Sequence, residues 1–160
     1  MPTGIIHFRW PRQQQSGLSV SSLPVLTALV KQPLLENFCL KIPAAGRIFL
    51  RELDRLAKAR ADFAFESTLS GLVYLNRLKR WKAAGYRIEI VYLRLPSPRL
   101  ALRRIAARVK QGGHNVPRAD VLRRFDRSWT NFQKSYRLLA DAWSVYDNSS
   151  RTSRLLERGP

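Results

Sequence analysis

The stretch Arg87–Leu95, RIEIVYLRL, constrains the fold more than any other. Ile90, Val91, Tyr92 and Leu93 form a near-continuous apolar run. Such a run is expected of a strand buried on both faces of a parallel sheet. Helical patterns lie on both sides of it. Before it, Tyr74, Leu75, Leu78 and Trp81 recur at helical spacing, Lys79, Arg80 and Lys82 suit the helix end, and Gly85 is placed to terminate it. After it, Ser97-Pro98 is a helix start, a cap followed by proline at the first turn. Strands separated by helices imply crossover connections and a parallel sheet, so the fold class is α/β with helices on both faces. Ligands of such sheets sit at the carboxyl ends of the strands.

The same order extends both ways along the chain. Phe49, Leu53, Leu56 and Ala57 share one helix face, with Arg51, Arg55 and Lys58 on the other. DFAFES reads as a short strand with Phe63 and Phe65 on one side, followed by the turn Thr68–Gly71, in which Ser70 is a candidate N-cap. Leu102, Ile105, Ala106 and Val109 are the expected buried face of the helix that Ser97 starts, and Gly112-Gly113 stops it. Pro117 opens a further helix, buried through Val121, Leu122 and Phe125, and a separate one covers roughly 129–142. WSVYDNSS reads as a last core strand with a turn at Asp147–Ser149, and Arg154–Glu157 as a short edge strand. Near the start, GIIHFRW over residues 4–10 is a candidate strand ended by Pro11. Residues 11–45 carry no sustained period.

Charge singles out Ala101–Arg127. Arg103, Arg104, Arg108 and Lys110 precede a Gly-Gly-His-Asn-Val-Pro break, and Arg118, Arg123, Arg124 and Arg127 follow it. Arg104 and Arg108 are four apart, as are Arg123 and Arg127, so each pair stacks on one helix face. Arginine suits phosphate because its donors are planar and permanently charged. Two cationic helices around Gly112 and Gly113 fit a lid that closes on an anion, although charge runs are usually a solvated face or a non-specific polyanion surface. The net charge of +18 over 160 residues points to polyanionic partners in either case. Glu66 ends the DFAFES strand. A carboxylate there either faces substrate in the crevice or is a helix N-terminal acid stabilised by the dipole. His114 has no second histidine near it in sequence. With Cys39 as the single cysteine, a disulfide framework and a cysteine-rich metal site are excluded, and a reducing cytosol is the default compartment. No run of 18 apolar residues occurs, so no transmembrane helix is expected.

In order, AGRIFLREL, DFAFESTLSG, the stretch from Leu78 to Pro117, LRRFDRSWTNF and VYDNSS resemble the zeta-toxin-like P-loop kinases. The resemblance covers about residues 44–157, and its most specific parts are the F-x-x-E-S strand end and R-x-x-x-R-V-x-x-G-G-H-x-V-P. It implies a P-loop-kinase-like parallel sheet with a helical Arg-rich lid over about residues 98–127, in a kinase domain spanning 44–160. It implies an ATP-dependent phosphotransferase using Mg²⁺; the best-known members phosphorylate the sugar of UDP-N-acetylglucosamine and act as toxins paired with an antitoxin protein. Carried over by motif, Glu66 and Thr68 are substrate-side residues. Arg104 and Arg108 lie in the lid with Gly112, Gly113 and His114. Arg124, or failing it Arg123, reaches the nucleotide phosphates, and Asn148 lies near the adenine.

Two parts of that pattern are missing. No G-x-x-x-x-G-K-[ST] loop occurs, nor any Gly-Lys dipeptide, and no acid fills the position of the family's later base. That loop's N–H groups and lysine hold the phosphates and its hydroxyl holds the metal. Residues 1–43 carry no part of the resemblance, and Glu36 is the first acid in the chain. The expectation is a domain missing its first strand and phosphate-loop helix, through a frameshift, a wrong start or a truncated gene. An impaired cytoplasmic kinase acting on a small molecule or nucleotide sugar is the first functional reading. A basic nucleic-acid-binding module and a non-catalytic toxin–antitoxin remnant are the alternatives.

Overall fold

The computed structural model describes residues 1–11, 42–113 and 115–160, with backbone only for 42–45. The sequence reading of 12–41 and the lid assignment of His114 fall outside the described residues. The order is β1 (Thr3–Arg9), α1 (Ile42–Lys58), β2 (Phe63–Ser67), α2 (Leu75–Ala83), β3 (Arg87–Arg94), α3 (Pro98–Lys110) and α4 (Arg118–Asn131). A π-helical turn (Phe132–Tyr136), the short α5 (Arg137–Leu139), β4 (Ala142–Asp147) and β5 (Arg154–Gly159) complete it.

The fold is α/β, but the five-stranded sheet is mixed rather than all parallel. Its order is β2-β1-β3-β4-β5. β3 and β4 pair in parallel, whereas β1 runs antiparallel to both β2 and β3, and β5 antiparallel to β4. The candidate strand at residues 4–10 is thus an interior strand, pairing Ile6 with Phe65 on one side and Ile90 on the other. Its alternation decides its faces: Gly4, Ile6 and Phe8 are buried, and Thr3, Ile5, His7 and Arg9 only partly so. β3 behaves alike. Ile88, Ile90 and Tyr92 are buried while Glu89, Val91 and Leu93 are half-buried, so the apolar run is not covered equally on both faces.

One core joins the sheet to α1, α2 and α4. Phe8 stacks on Phe63 with centroids 4.5 Å apart and meets Trp81 edge-on at 5.1 Å. Leu53 of α1 and Leu78 of α2 seal this cluster. Burying each such side chain contributes about 1.5–3 kcal/mol, which is why an antiparallel β1 is retained between strands that both need it. Asp141 ties the sheet's entry points together: its carboxylate accepts from the Ile88 N–H at 2.8 Å and pairs with Lys82 at 2.8 Å.

The caps follow the sequence in part. Ser97 Oγ accepts from the Leu100 N–H, and Gly85 holds φ +104, as a residue just past a helix end should. Ser70 is not a cap, because α2 begins after Tyr74; its hydroxyl bonds that of Thr68 instead. In α3 the buried residues are Ala101 and Ile105, while Ala106 and Val109 are exposed, since α3 packs on the small cluster of Leu95 and Val121 and not on the main core. Leu122 is likewise exposed. The two helices expected after Pro117 are one: α4 runs through the π turn into α5 without a break.

Candidate functional site

The carboxyl ends of β2 and β3 open toward α3 and α4. At the end of β2, Glu66 is exposed and the chain enters the segment Ser67–Gly71, where Leu69 holds φ +54. A leucine in the left-handed region is strained by its Cβ, so the surroundings must hold it there. They do so from two sides. Leu69 is fully buried over Gly4, where a Cβ would lie 2.5 Å from Leu69 Cδ1, so only glycine leaves the room. From the other side α4 and the π turn capture the segment's carbonyls. Ser128 Oγ donates to Thr68 O, Asn131 Nδ2 to Leu69 O at 2.9 Å, and Tyr136 Oη to Gly71 O at 2.6 Å.

The directions of these bonds are determined. Ser128 has one hydroxyl proton and gives it to a carbonyl, so the 2.8 Å contact with Tyr92 must be donated by the phenol. Burial pushes the Tyr92 phenol up to about 12, so it remains a donor across the neutral range. Burial pushes the Tyr136 phenol up as well. The π turn matters here. Its extra residue shifts each later position by about 100° around the axis, which carries Tyr136 onto the face that already holds Ser128 and Asn131.

The cationic hinge is held less tightly. Arg104 donates to the Ser149 carbonyl at 3.1 Å, bracing the Asp147–Ser149 turn. Asn148 donates its backbone N–H to Arg94 O, and its side chain accepts from Ser153. Arg123 pairs with Asp120 at 2.6 Å, and Arg124 stands 3.9 Å from the same carboxylate. Gly112 holds φ +82, and the Gly113 N–H returns to Arg108 O, closing α3 as a glycine C-terminus does. The structure therefore brings Glu66, Arg104 and Arg108 to one end of the sheet: all three act on the α-amino group of Met1. Burial and the two guanidinium groups lower that amine's pKa, and Glu66 opposes them. Arg123 and Arg124 stand on α4, their charge shared with Asp120, and Asn148 sits in the turn that Arg104 braces.

The magnesium–triphosphate group of a P-loop kinase does not fit this arrangement in the usual way. A phosphate loop must leave an interior strand at the crevice end. β1 is interior but reversed, so the residues after Arg9 depart at the opposite end of the sheet from Glu66. Among the described residues no three His, Cys, Asp or Glu side chains gather as metal ligands.

Sequence reasoning missed Gly4, Tyr92, Ser128, Asn131 and Tyr136. A signal existed for one of them. Ser128 falls seven residues after Val121 and four before Phe132, two fully buried positions on the same helical face. A hydroxyl on a buried face needs a partner.

The fold is that of a P-loop-kinase-like α/β domain. The Zeta toxin family model matches residues 24–158, and the chain belongs to that family. The match takes in residues 24–43, which the sequence reading sets apart. An uncharacterized protein of Haemophilus influenzae is 36% identical over 72 residues, 45% of this chain and 51% of that protein. The match thus spans about half the length of that relative. No solved structure matches. No helix among the described residues is long and apolar enough to cross a membrane.

Proposed function

We propose that this chain is a zeta-toxin-like kinase domain that keeps the substrate-side strand end and the arginine lid but not the nucleotide anchor. One observation carries the reading: β1 fills the interior of the sheet in the reverse direction. In this arrangement Glu66 and Thr68 face the substrate, a small molecule or nucleotide sugar. Arg104, Arg108, Arg123 and Arg124 form the cationic side that contacts phosphates, with Gly112 and Gly113 as the lid's hinge. Phosphoryl transfer depends on positioning and charge stabilisation. With no G-x-x-x-x-G-K-[ST] loop in its sequence and β1 reversed, the chain binds anions at the crevice without turning ATP over. It does so in the cytoplasm, with an antitoxin protein as the family's characteristic partner. Magnesium–ATP turnover by the purified chain is expected to be indistinguishable from a blank. ATPase or sugar-kinase activity that copurifies with the protein and disappears in Arg124→Ala would overturn this reading.

A further inference from the structure

A cavity lies at the carboxyl end of β3, with Tyr92 and Leu95 in its lining. It has a volume of about 220 Å³ and is bounded by Pro2, the end of β3 and one face of α4. Phe125 and Trp129 supply apolar ring surface, and Arg94, Asp126 and Thr130 supply the polar groups. Arg94 is held in place: its guanidinium stacks over the Trp129 ring 4.4 Å from the centroid. Stacking fixes the plane of the cation while its edge N–H groups stay available to an anion. Asp126 and Thr130 are exposed, and neither side chain makes a hydrogen bond or ion pair among the described residues. An anchored cation, an uncommitted carboxylate and an uncommitted hydroxyl thus converge on an aromatic wall.

We infer that this cavity binds a single hydroxylated ring carrying one acidic group, a sugar phosphate or a uronate. Arg94 takes the acid through charge-assisted bonds. Asp126 and Thr130 take ring hydroxyls, and the C–H face of the ring lies against Phe125 and Trp129. The size sets the limit. Pockets for drug-sized molecules run from roughly 300 Å³ upward, so this one encloses about one ring. The charge sets the sign. Among the described residues Arg94 is the one cation in the lining, and Arg123, Arg124 and Arg127 stand near Asp126 in the sequence of α4, so the local field disfavours an ammonium ligand and favours an anion. The cavity opens at the same end of the sheet as Glu66, but binding there needs no phosphoryl transfer.

Calorimetric titration of the whole chain with glucose 6-phosphate, glucuronate, glucose, inorganic phosphate and phenylalanine tests it, with the Trp129 indole N–H followed by NMR. The sugar acids are expected to bind at least about tenfold tighter than glucose and than inorganic phosphate, and to shift the indole signal. Arg94→Gln should bring sugar acid and glucose to equal affinity. Asp126→Asn and Thr130→Val, both at exposed positions, should each weaken the sugar acids severalfold. Inorganic phosphate binding as tightly as the sugar acids, preference for the zwitterion phenylalanine, no binding by any probe, or binding that Asp126→Asn and Thr130→Val leave unchanged would each overturn the inference.

Discussion

The two sides of the crevice are built on opposite principles. On one side the Thr68–Gly71 segment is held by neutral, partly buried, directional bonds: three carbonyls captured by Ser128, Asn131 and Tyr136, with Leu69 packed over Gly4. On the other side the hinge of α3 and α4 carries exposed arginines whose partners are shared or peripheral, as Asp120 is to both Arg123 and Arg124. Buried hydrogen bonds are costly to break because an orphaned group cannot turn to water. Exposed ion pairs cost little because water and salt replace the partner. The braced side is costly to rearrange, and the charged side is not.

The comparison can be broken from the braced side first. Ser128→Ala leaves the buried Tyr92 Oη and the half-buried Thr68 O without that partner, and should lower stability by about 2–3 kcal/mol in a urea melt. A loss under about 0.5 kcal/mol would mean that the brace is not what holds the segment. Tyr136→Phe removes only the bond to Gly71 and keeps the ring packed, so a loss of about 1–2 kcal/mol is expected by the same measurement. Asp141 gives an intermediate case. Burial would raise its carboxyl, but the Lys82 and Ile88 contacts outweigh it and hold it below the usual range. A depressed carboxylate stabilises above its unfolded pKa, about 3.9, and the stabilisation is lost as pH falls through the folded value. Burial lowers His7 too, so protons favour its unfolded form as pH falls through about 6.5. Stability should therefore decline toward acid in two stages, and Asp141→Asn should cost about 1 kcal/mol at neutral pH while flattening only the lower stage.

The smallest effect on stability belongs to the hinge. Arg123→Gln with Arg124→Gln should change the melt by no more than about 0.5 kcal/mol. The same pair should reduce the salt dependence of binding to a generic duplex by up to about two ion contacts. A melt that moved as far as that of Ser128→Ala would erase the distinction between the two sides.

Much of this was legible in the residues. The α/β class, the helix start at Ser97-Pro98, the glycine stops and the strand end at Glu66 follow from local rules that act within one turn or one strand. The family resemblance rests on the same local stretches. The brace was not legible, because Ser128 and Thr68 are sixty residues apart and meet only when α4 crosses the sheet end. The π turn was not legible either: FQKSY has no breaker, and the turn follows from seating Phe132 and Tyr136 in the core at once.

The sequence by itself determined the α/β class, the absence of any G-x-x-x-x-G-K-[ST] stretch, and the crowding of arginines on either side of Gly112-Gly113. It also marked residues 4–10 as a strand without saying where, or in which direction, it would pair. Alternation of apolar residues is the same read forward or backward, so nothing local distinguishes a parallel from an antiparallel partner. That choice was made by the tertiary structure, when Phe8 had to reach Phe63 and Trp81 while Gly4 made room for Leu69.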